Sequence, residues 1–122
     1  MNRKEKATGF LQLIIAGDIR EAYRIYTGKD FKHHNAYFKG DKESLTRAME
    51  DEDRQNPDKI FNIQRVLEDG DFVAVHSHLQ RNPGDPGIAV VHIFRFDNDI
   101  IVEFWDVAQF IPQDMVNENG MF

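Results

Sequence analysis

A chain of 122 residues with a formal net charge of −6, five histidines and no cysteine is long enough for one domain with a single core. The lack of cysteine excludes disulfides and thiolate chemistry, and the negative charge argues against binding to a phosphate backbone. No apolar run suits a signal peptide or a membrane span, so we expect a soluble, cytoplasmic protein with no nucleic-acid and no membrane partner.

The N-terminal part of the chain has helical apolar spacing. An apolar stripe within residues 3–16 predicts a first helix, and Gly17 is a residue that can end it in the left-handed conformation. Asp18 is predicted to cap a short second helix, with Glu21 completing a capping box. Gly28 is the predicted end of this second helix.

A third helix is predicted after an extended segment and loop over residues 31–38. Asp41 is its expected N-cap, and Asn56-Pro57 stops it because the residue before a proline disfavours helical backbone. From Lys59 onward the pattern changes to β, with Asp69-Gly70 as a hairpin signal. The predicted strands are Ile60–Leu67, Phe72–Arg81, Ile88–Phe96 and Ile100–Ile111. Helices followed by an antiparallel meander indicate an α+β fold with helices on one sheet face.

The strand segment Val102–Val107 holds the only tryptophan, beside a lone carboxylate. Alternation puts Asp106 on the same face as Phe104, and Trp105 on the other, where it is a candidate dimer contact. A carboxyl group among buried apolar neighbours either finds a hydrogen-bond partner or becomes a stronger base. Asp106 is therefore the first candidate catalytic residue, and a satisfied structural acid is the alternative.

Whether an imidazole shares the face of Asp106 depends on the turn at residues 97–99. A three-residue loop would pair His92 with Phe104 and keep His92 and Asp106 on one face. A two-residue loop would put them on opposite faces. We predict the three-residue loop because it collects the apolar residues and both titratable groups, which makes His92 the second candidate catalytic residue.

The other histidines leave several alternatives open. His76 and His78 alternate along a strand in a spacing that could hold a metal ion, but no orienting carboxylate is evident, so we predict no metal. At most one of His33 and His34 can enter a shared site, because neighbouring side chains of an extended segment point apart. A strand histidine is also more often a surface or core residue than a catalyst.

The chain carries a set of short motifs in a defined order: His33-His34-Asn35, Val73–His78, Asn82-Pro83-Gly84-Asp85, Ile93-Phe94-Arg95, and Glu103–Val107 with Gln109. Together they resemble the SnoaL-like polyketide cyclase group of the nuclear transport factor two-like superfamily. The resemblance runs from about residue 5 to the end, so we expect a single domain over residues 1–122. It implies an α+β barrel in which a cone-shaped, curved antiparallel sheet wraps the N-terminal helices and leaves a deep apolar pocket.

The resemblance also implies how such a pocket is used. Pocket acid and base groups drive an intramolecular aldol closure without metal or cofactor, and the proteins are usually homodimers through the outer sheet face. Position by position, the resemblance matches Asp106 to the pocket acid and His34 to a pocket histidine, with His78 also at a matching place. The chain departs from its relatives at Phe104 and His92, where histidine and aspartate respectively are common.

We therefore expect a metal-independent cyclase or isomerase that acts on a small apolar carbonyl compound in its pocket. Asp106 would move a proton on carbon, while His92 or His78 hydrogen-bonds the developing oxyanion. The remaining predicted pocket residues are His34, His76, Phe38, Phe94 and Phe104. The alternative is a non-catalytic small-ligand-binding or dimerisation module of the same fold, which the Phe104 departure favours.

Overall fold

The computed structural model describes all of residues 1–122 as three helices and one five-stranded curved sheet, which confirms the α+β class. The helices are α1 (Arg3–Ile15), α2 (Ile19–Tyr26) and α3 (Lys42–Gln55). The strands are β1 (Thr27–His33), β2 (Ile60–Asp69), β3 (Phe72–Gln80), β4 (Ile88–Asp97) and β5 (Ile100–Phe110). Their order across the sheet is β1-β5-β4-β3-β2.

The helix ends follow local side-chain chemistry. Asn2 and Glu5 form a reciprocal capping box at the start of α1, and Gly17 ends the helix with a φ of 90°. Asp18 precedes α2 but makes no side-chain cap hydrogen bond, so the predicted capping box is wrong. Glu21 pairs instead with Arg24, one turn further along the same helix.

The third helix begins and ends as predicted. The Asp41 carboxylate accepts a hydrogen bond from the Ser44 amide at 2.9 Å, and Asn56 is the C-terminal cap. The second helix ends at Tyr26, two residues before the predicted Gly28, because Thr27 already has extended backbone and begins β1.

The sheet is mixed. Strands β2 to β5 form the predicted antiparallel meander, but β1 pairs with β5 in parallel, with Thr27 opposite Ile101 and His33 opposite Phe104. The purely antiparallel prediction is therefore wrong at this edge, where the chain leaves α2 in the same direction as β5. This arrangement carries residues 34 and 35 to the middle of β5.

The β4–β5 hairpin turns through two residues, Asn98-Asp99, whose φ angles of 51° and 61° suit a type I′ turn. The predicted three-residue loop is wrong. A bulge follows, in which Val102 has no partner between the Phe96–Ile101 and Arg95–Glu103 pairs. The extra residue reverses the alternation of β5, and His92 consequently lies directly opposite Asp106. The two side chains share a face for a reason other than the predicted one.

The helices cover the inner, concave face of the sheet. The Phe10 ring of α1 packs edge-on against Tyr23 of α2 and Phe94 of β4, with centroids 5.2 and 5.8 Å apart. Phe94 and Phe104 are fully buried, and each such side chain stabilises the fold by about 1.5–3 kcal/mol. None of the three helices has the length and apolar character that a membrane crossing requires.

Candidate functional site

The inner face carries a cross-strand pair of titratable side chains. His92 of β4 stands opposite Asp106 of β5 and, on its other side, opposite Val75 of β3. Both His92 and Asp106 are half-buried, whereas Phe94 and Phe104, one pair further along the hairpin, are fully buried. The pair therefore lies where the apolar core ends and the concave face becomes accessible.

Asp106 is held by a residue that sequence reasoning did not single out. The Asn35 side-chain Nδ2 donates a hydrogen bond to Asp106 Oδ2 at 2.9 Å. The Asn35 amide is itself fixed, because its Oδ1 accepts from the Tyr37 backbone amide at 3.0 Å and its backbone N–H donates to His33 Nδ1 at 3.1 Å. An Asn side chain that bonds the backbone amide two residues later is a known turn signal. The contact of Asn35 with Asp106, in contrast, depends on the pairing of β1 with β5.

His92 is a neutral imidazole at physiological pH. Burial lowers the pKa of its ring to about 4, and the nearby Asp106 carboxylate opposes this effect only in part. The ring stacks on Phe104 with centroids 5.5 Å apart, and its Nδ1 atom is buried without a hydrogen-bond partner. A neutral imidazole has one N–H donor and one acceptor, so this ring can hydrogen-bond an oxygen atom without carrying charge.

Two hydroxyl groups are also buried near the inner face of the sheet. Tyr23 is 3% exposed, and burial together with the field of Asp106 raises the pKa of its phenol well above the usual range. Its hydroxyl lies 3.3 Å from the Met49 sulfur. Ser77 of β3 is fully buried, and its Oγ has no hydrogen-bond partner.

The structure places His34 on the outer face, apart from Asp106. Its Nε2 donates to Glu103 Oε2 at 2.6 Å, and its ring stacks on Trp105 at 4.9 Å with an interplanar angle of 6°. Glu103 also accepts from Arg95 Nε at 2.9 Å. His34 is therefore part of an outer-face cluster, because His33 takes the inward position at the end of β1.

His76 and His78 also lie on the outer face, opposite Val91 and Ala89 of β4, so neither can share a pocket with Asp106. Both rings pack against Phe122 of the C-terminal segment, with centroids 5.5 and 4.8 Å apart. The side chain of His78 donates from Nε2 to the Pro86 carbonyl at 2.8 Å, and His76 is bonded by Arg65. These histidines hold the turn after β3 and the end of the chain.

The three predicted pocket phenylalanines have different positions. Phe94 and Phe104 belong to the core beneath the His92–Asp106 pair, whereas Phe38 is 45% exposed in the loop between β1 and α3. Nowhere does the chain bring together three histidine or acidic side chains that could hold a metal ion. An open groove of about 400 Å³ runs along the outer face instead, with Leu67, Phe72 and Trp105 among its lining residues.

The fold agrees with that of known proteins. A family model described as a SnoaL-like domain matches residues 7–104, a range that ends two residues before Asp106. None of the curated proteins matches the chain. The similarity to solved structures is extensive in fold and low in sequence.

Wild-type IdmH from Streptomyces antibioticus, a "putative polyketide cyclase", superimposes with a TM-score of 0.73 at 18% identity, over 89% of this chain and 93% of that one. A loop-truncation variant of IdmH superimposes with a TM-score of 0.75 at 20% identity, over 88% of this chain and 93% of that one. A "putative polyketide cyclase" from Acidithiobacillus ferrooxidans has a TM-score of 0.70 at 21% identity, over 88% of this chain and 87% of that one. A "putative isomerase of the SnoaL-like family" from Agrobacterium tumefaciens has a TM-score of 0.72 at 10% identity, over 89% of this chain and 99% of that one.

Proposed function

The chain belongs to the SnoaL-like domain family, and from this premise we propose that it catalyses proton transfer on a small apolar carbonyl compound, as an aldol-type cyclase or an isomerase. The observation that carries the proposal is the His92–Asp106 pair: a carboxylate and a neutral imidazole directly opposite each other on the concave face. No cofactor or metal is needed for this reaction class. The names of the structural relatives point to the same chemistry.

The proposed first step breaks one carbon–hydrogen bond. The Asp106 carboxylate takes the proton from the carbon next to the substrate carbonyl, and the electron pair moves into the enolate, whose oxygen becomes negative. In an isomerase the proton returns to a different carbon. In a cyclase the enolate carbon attacks a second carbonyl of the same molecule, a carbon–carbon bond forms, and the new alkoxide takes the proton back.

His92 supplies the partner for the developing negative charge. A neutral imidazole that donates an N–H stabilises an enolate without first having to lose a proton to Asp106, and its low pKa keeps it neutral throughout the physiological range. Asn35 is a positioning residue, because its amide holds one carboxylate oxygen of Asp106 and leaves the other free. The half-buried position of the pair gives substrate access while reducing competition from water.

Deuterium exchange tests the proposal without knowledge of the natural substrate. The protein is incubated in deuterated water with acetophenone, and loss of the methyl proton signal is followed by NMR. We expect exchange above the uncatalysed rate for the wild type and a loss of about 10²–10⁴-fold of this catalysis in Asp106→Asn. Asp97→Asn, an exposed acid-to-amide change at the hairpin tip, should retain the wild-type rate.

Two results would contradict the proposal. One is equal exchange by the wild type and Asp106→Asn, which would remove Asp106 from the chemistry. The other is no catalysed exchange by the wild type, which would remove this substrate class. Circular dichroism of each variant verifies that the fold is retained, so that a lost rate is assigned to the lost carboxylate.

A second candidate function is a non-catalytic binding or dimerisation module, favoured by the outer-face groove. Leu67 and Phe72 are 62% and 43% exposed there, and an apolar groove of this kind is typical of an interaction surface. Under this proposal a second copy of the chain covers the groove. Light scattering should then give twice the chain mass for the wild type and a single chain mass for Leu67→Glu; a wild-type monomer would overturn this candidate.

A further inference from the structure

Two buried polar atoms on the inner face have no hydrogen-bond partner within the chain. They are Ser77 Oγ and His92 Nδ1. No other buried side-chain nitrogen or oxygen atom of the protein lacks a hydrogen-bond partner. Leaving a buried polar group unpaired costs about 1–3 kcal/mol, so such groups are rare in folded proteins and often mark a place where another molecule supplies the partner.

The sheet register brings these two residues to neighbouring positions on the same face. Ser77 pairs with Val90, and His92 pairs with Val75, so the two residues are diagonal neighbours across the β3–β4 ladder and face the same side. Diagonal neighbours are about 7–8 Å apart at Cα and somewhat closer at Cβ. Their polar atoms make no direct hydrogen bond, so a partner shared by both would have to lie between the two side chains.

The surroundings favour a ligand oxygen at this position. The Phe61 ring lies 6.2 Å from the His92 ring, and the Phe104 ring stacks on its other side, so the two polar atoms are set in an apolar wall. Asp106 is directly across from His92 on the accessible part of the same face. An apolar wall with two convergent hydrogen-bonding atoms is the usual composition of a small-molecule site.

We propose that Ser77 Oγ and His92 Nδ1 together bind one oxygen atom of the ligand, the carbonyl oxygen that becomes the enolate oxygen. The assignment deepens the proposed function, on which it rests, and adds Ser77 as a catalytic residue that contacts the substrate. Ser77 donates its hydroxyl proton and His92 its Nδ1 proton to the same oxygen. Two preorganised donors at the atom where charge develops make an oxyanion site.

The assignment also defines the ligand class. The ligand has an apolar body that packs against Phe61 and one oxygen that reaches the floor of the site between β3 and β4. The carbon next to the carbonyl then faces Asp106, because Asp106 lies on the opposite side of His92 from Ser77. A carbonyl compound whose only oxygen points away from the floor of the site cannot hydrogen-bond to Ser77 and His92.

A pair of probes that differ only in one oxygen tests the inference. Binding of 2-naphthol, an enolate mimic, and of naphthalene, which has the same rings without oxygen, is measured by fluorescence titration. We expect the wild type to prefer 2-naphthol, and Ser77→Ala to lose about tenfold in affinity for 2-naphthol with no change for naphthalene. Ser44→Ala, which removes a hydroxyl already bonded to Asp41, should behave as the wild type.

Unfolding of the free protein supplies a second readout. Because the Ser77 hydroxyl has no partner, its removal should leave the thermal midpoint of the free protein unchanged or raise it. A lowered midpoint together with unchanged 2-naphthol affinity would show that Ser77 has a structural role, for example toward an internal water, and would overturn the inference.

Other results would overturn it as well. These are equal affinities of the wild type for both probes, equal losses of both probes in Ser77→Ala, and no binding of either probe. Failure of the proposed function is detected separately, because the deuterium-exchange comparison of wild type and Asp106→Asn depends on proton transfer and the naphthol comparison does not. A loss of exchange only in Asp106→Asn, with no probe preference, would retain the proposed function and reject the role of Ser77.

Discussion

Each face of strand β5 carries a carboxylate with a histidine beside it, and the two pairs differ in how completely they are hydrogen-bonded. On the outer face, Glu103 accepts hydrogen bonds from His34 and Arg95, and Lys32 lies 3.8 Å away. On the inner face, the Asp106 side chain has one partner, the neutral Asn35 amide, and His92 has none.

This difference supports the proposed roles, a structural one for Glu103 and a reactive one for Asp106. The hydrogen bond from His34, followed by those of Arg95 and the charge of Lys32, lowers the pKa of Glu103, so the carboxylate is already stabilised and has little tendency to take a proton. Asp106 has no cationic partner, and the imidazole opposite it is held neutral by burial. Chemistry is therefore expected on the inner face and stabilisation on the outer face.

The largest expected effect on stability is a dependence on pH that comes from the inner face. The unfolded state binds a proton at His92 below pH 6.5, whereas the folded state does so only near pH 4. Between these values the unfolded state holds more protons, so the free energy of unfolding falls as the pH is lowered, by roughly 3 kcal/mol in all at about 1.4 kcal/mol per pKa unit. Above pH 7 this contribution no longer changes.

Urea unfolding of the wild type and His92→Phe from pH 7 to pH 4 measures this effect. The variant should lose the His92 part of the slope, whereas His34→Gln should keep that part, because it leaves the buried His92 ring unchanged. Glu103 acts at lower pH: its stabilising contribution is lost only as the pH falls below the ordinary carboxyl value of 4.5. Equal slopes in the wild type and His92→Phe would contradict the burial of a neutral imidazole.

The next effect distinguishes the two acids by stability. Glu103→Gln should lower the free energy of unfolding by about 1–3 kcal/mol, since an amide cannot accept from both His34 and Arg95 and leaves one donor unpaired. Asp106→Asn should cost less than about 1 kcal/mol, because the amide oxygen can still accept from Asn35. Urea unfolding at pH 7 measures both, and a larger loss in Asp106→Asn would reverse the assignment of roles.

The sequence was sufficient to predict the helices, the antiparallel meander and the strand that carries Asp106, because each of these depends on local periodicity and on turn residues. It was insufficient for the position of the histidines. His76 and His78 share one face of their strand, as alternation predicts. Which face of the sheet the helices cover depends on tertiary packing, so alternation alone could not place these histidines on the outer face. His34 and His33 could not be assigned to sides for the same reason.

The shared face of His92 and Asp106 shows how two local errors can cancel. The two-residue turn at Asn98-Asp99 would separate them, and the bulge at Val102 brings them together again. The sequence around Val102 does not indicate a bulge, because Ile100, Ile101 and Val102 form a continuous apolar run that fits either register. Asn35 was missed because its contact with Asp106 spans 71 positions and requires the parallel pairing of β1 with β5.

The smallest expected effect concerns the ring stack on the outer face. His34 and Trp105 lie nearly parallel, 4.9 Å apart, but the His34 side chain is 45% exposed, so the stack is expected to contribute about 0.5 kcal/mol, the low end for aromatic pairs. A double-mutant cycle with His34→Ala and Trp105→Ala measures this coupling apart from the hydrogen bond to Glu103. Both single variants should retain deuterium exchange, because neither side chain reaches the inner face. A loss of exchange in His34→Ala without a loss of stability would place chemistry on the outer face, and the contrast between the two acids would then fail.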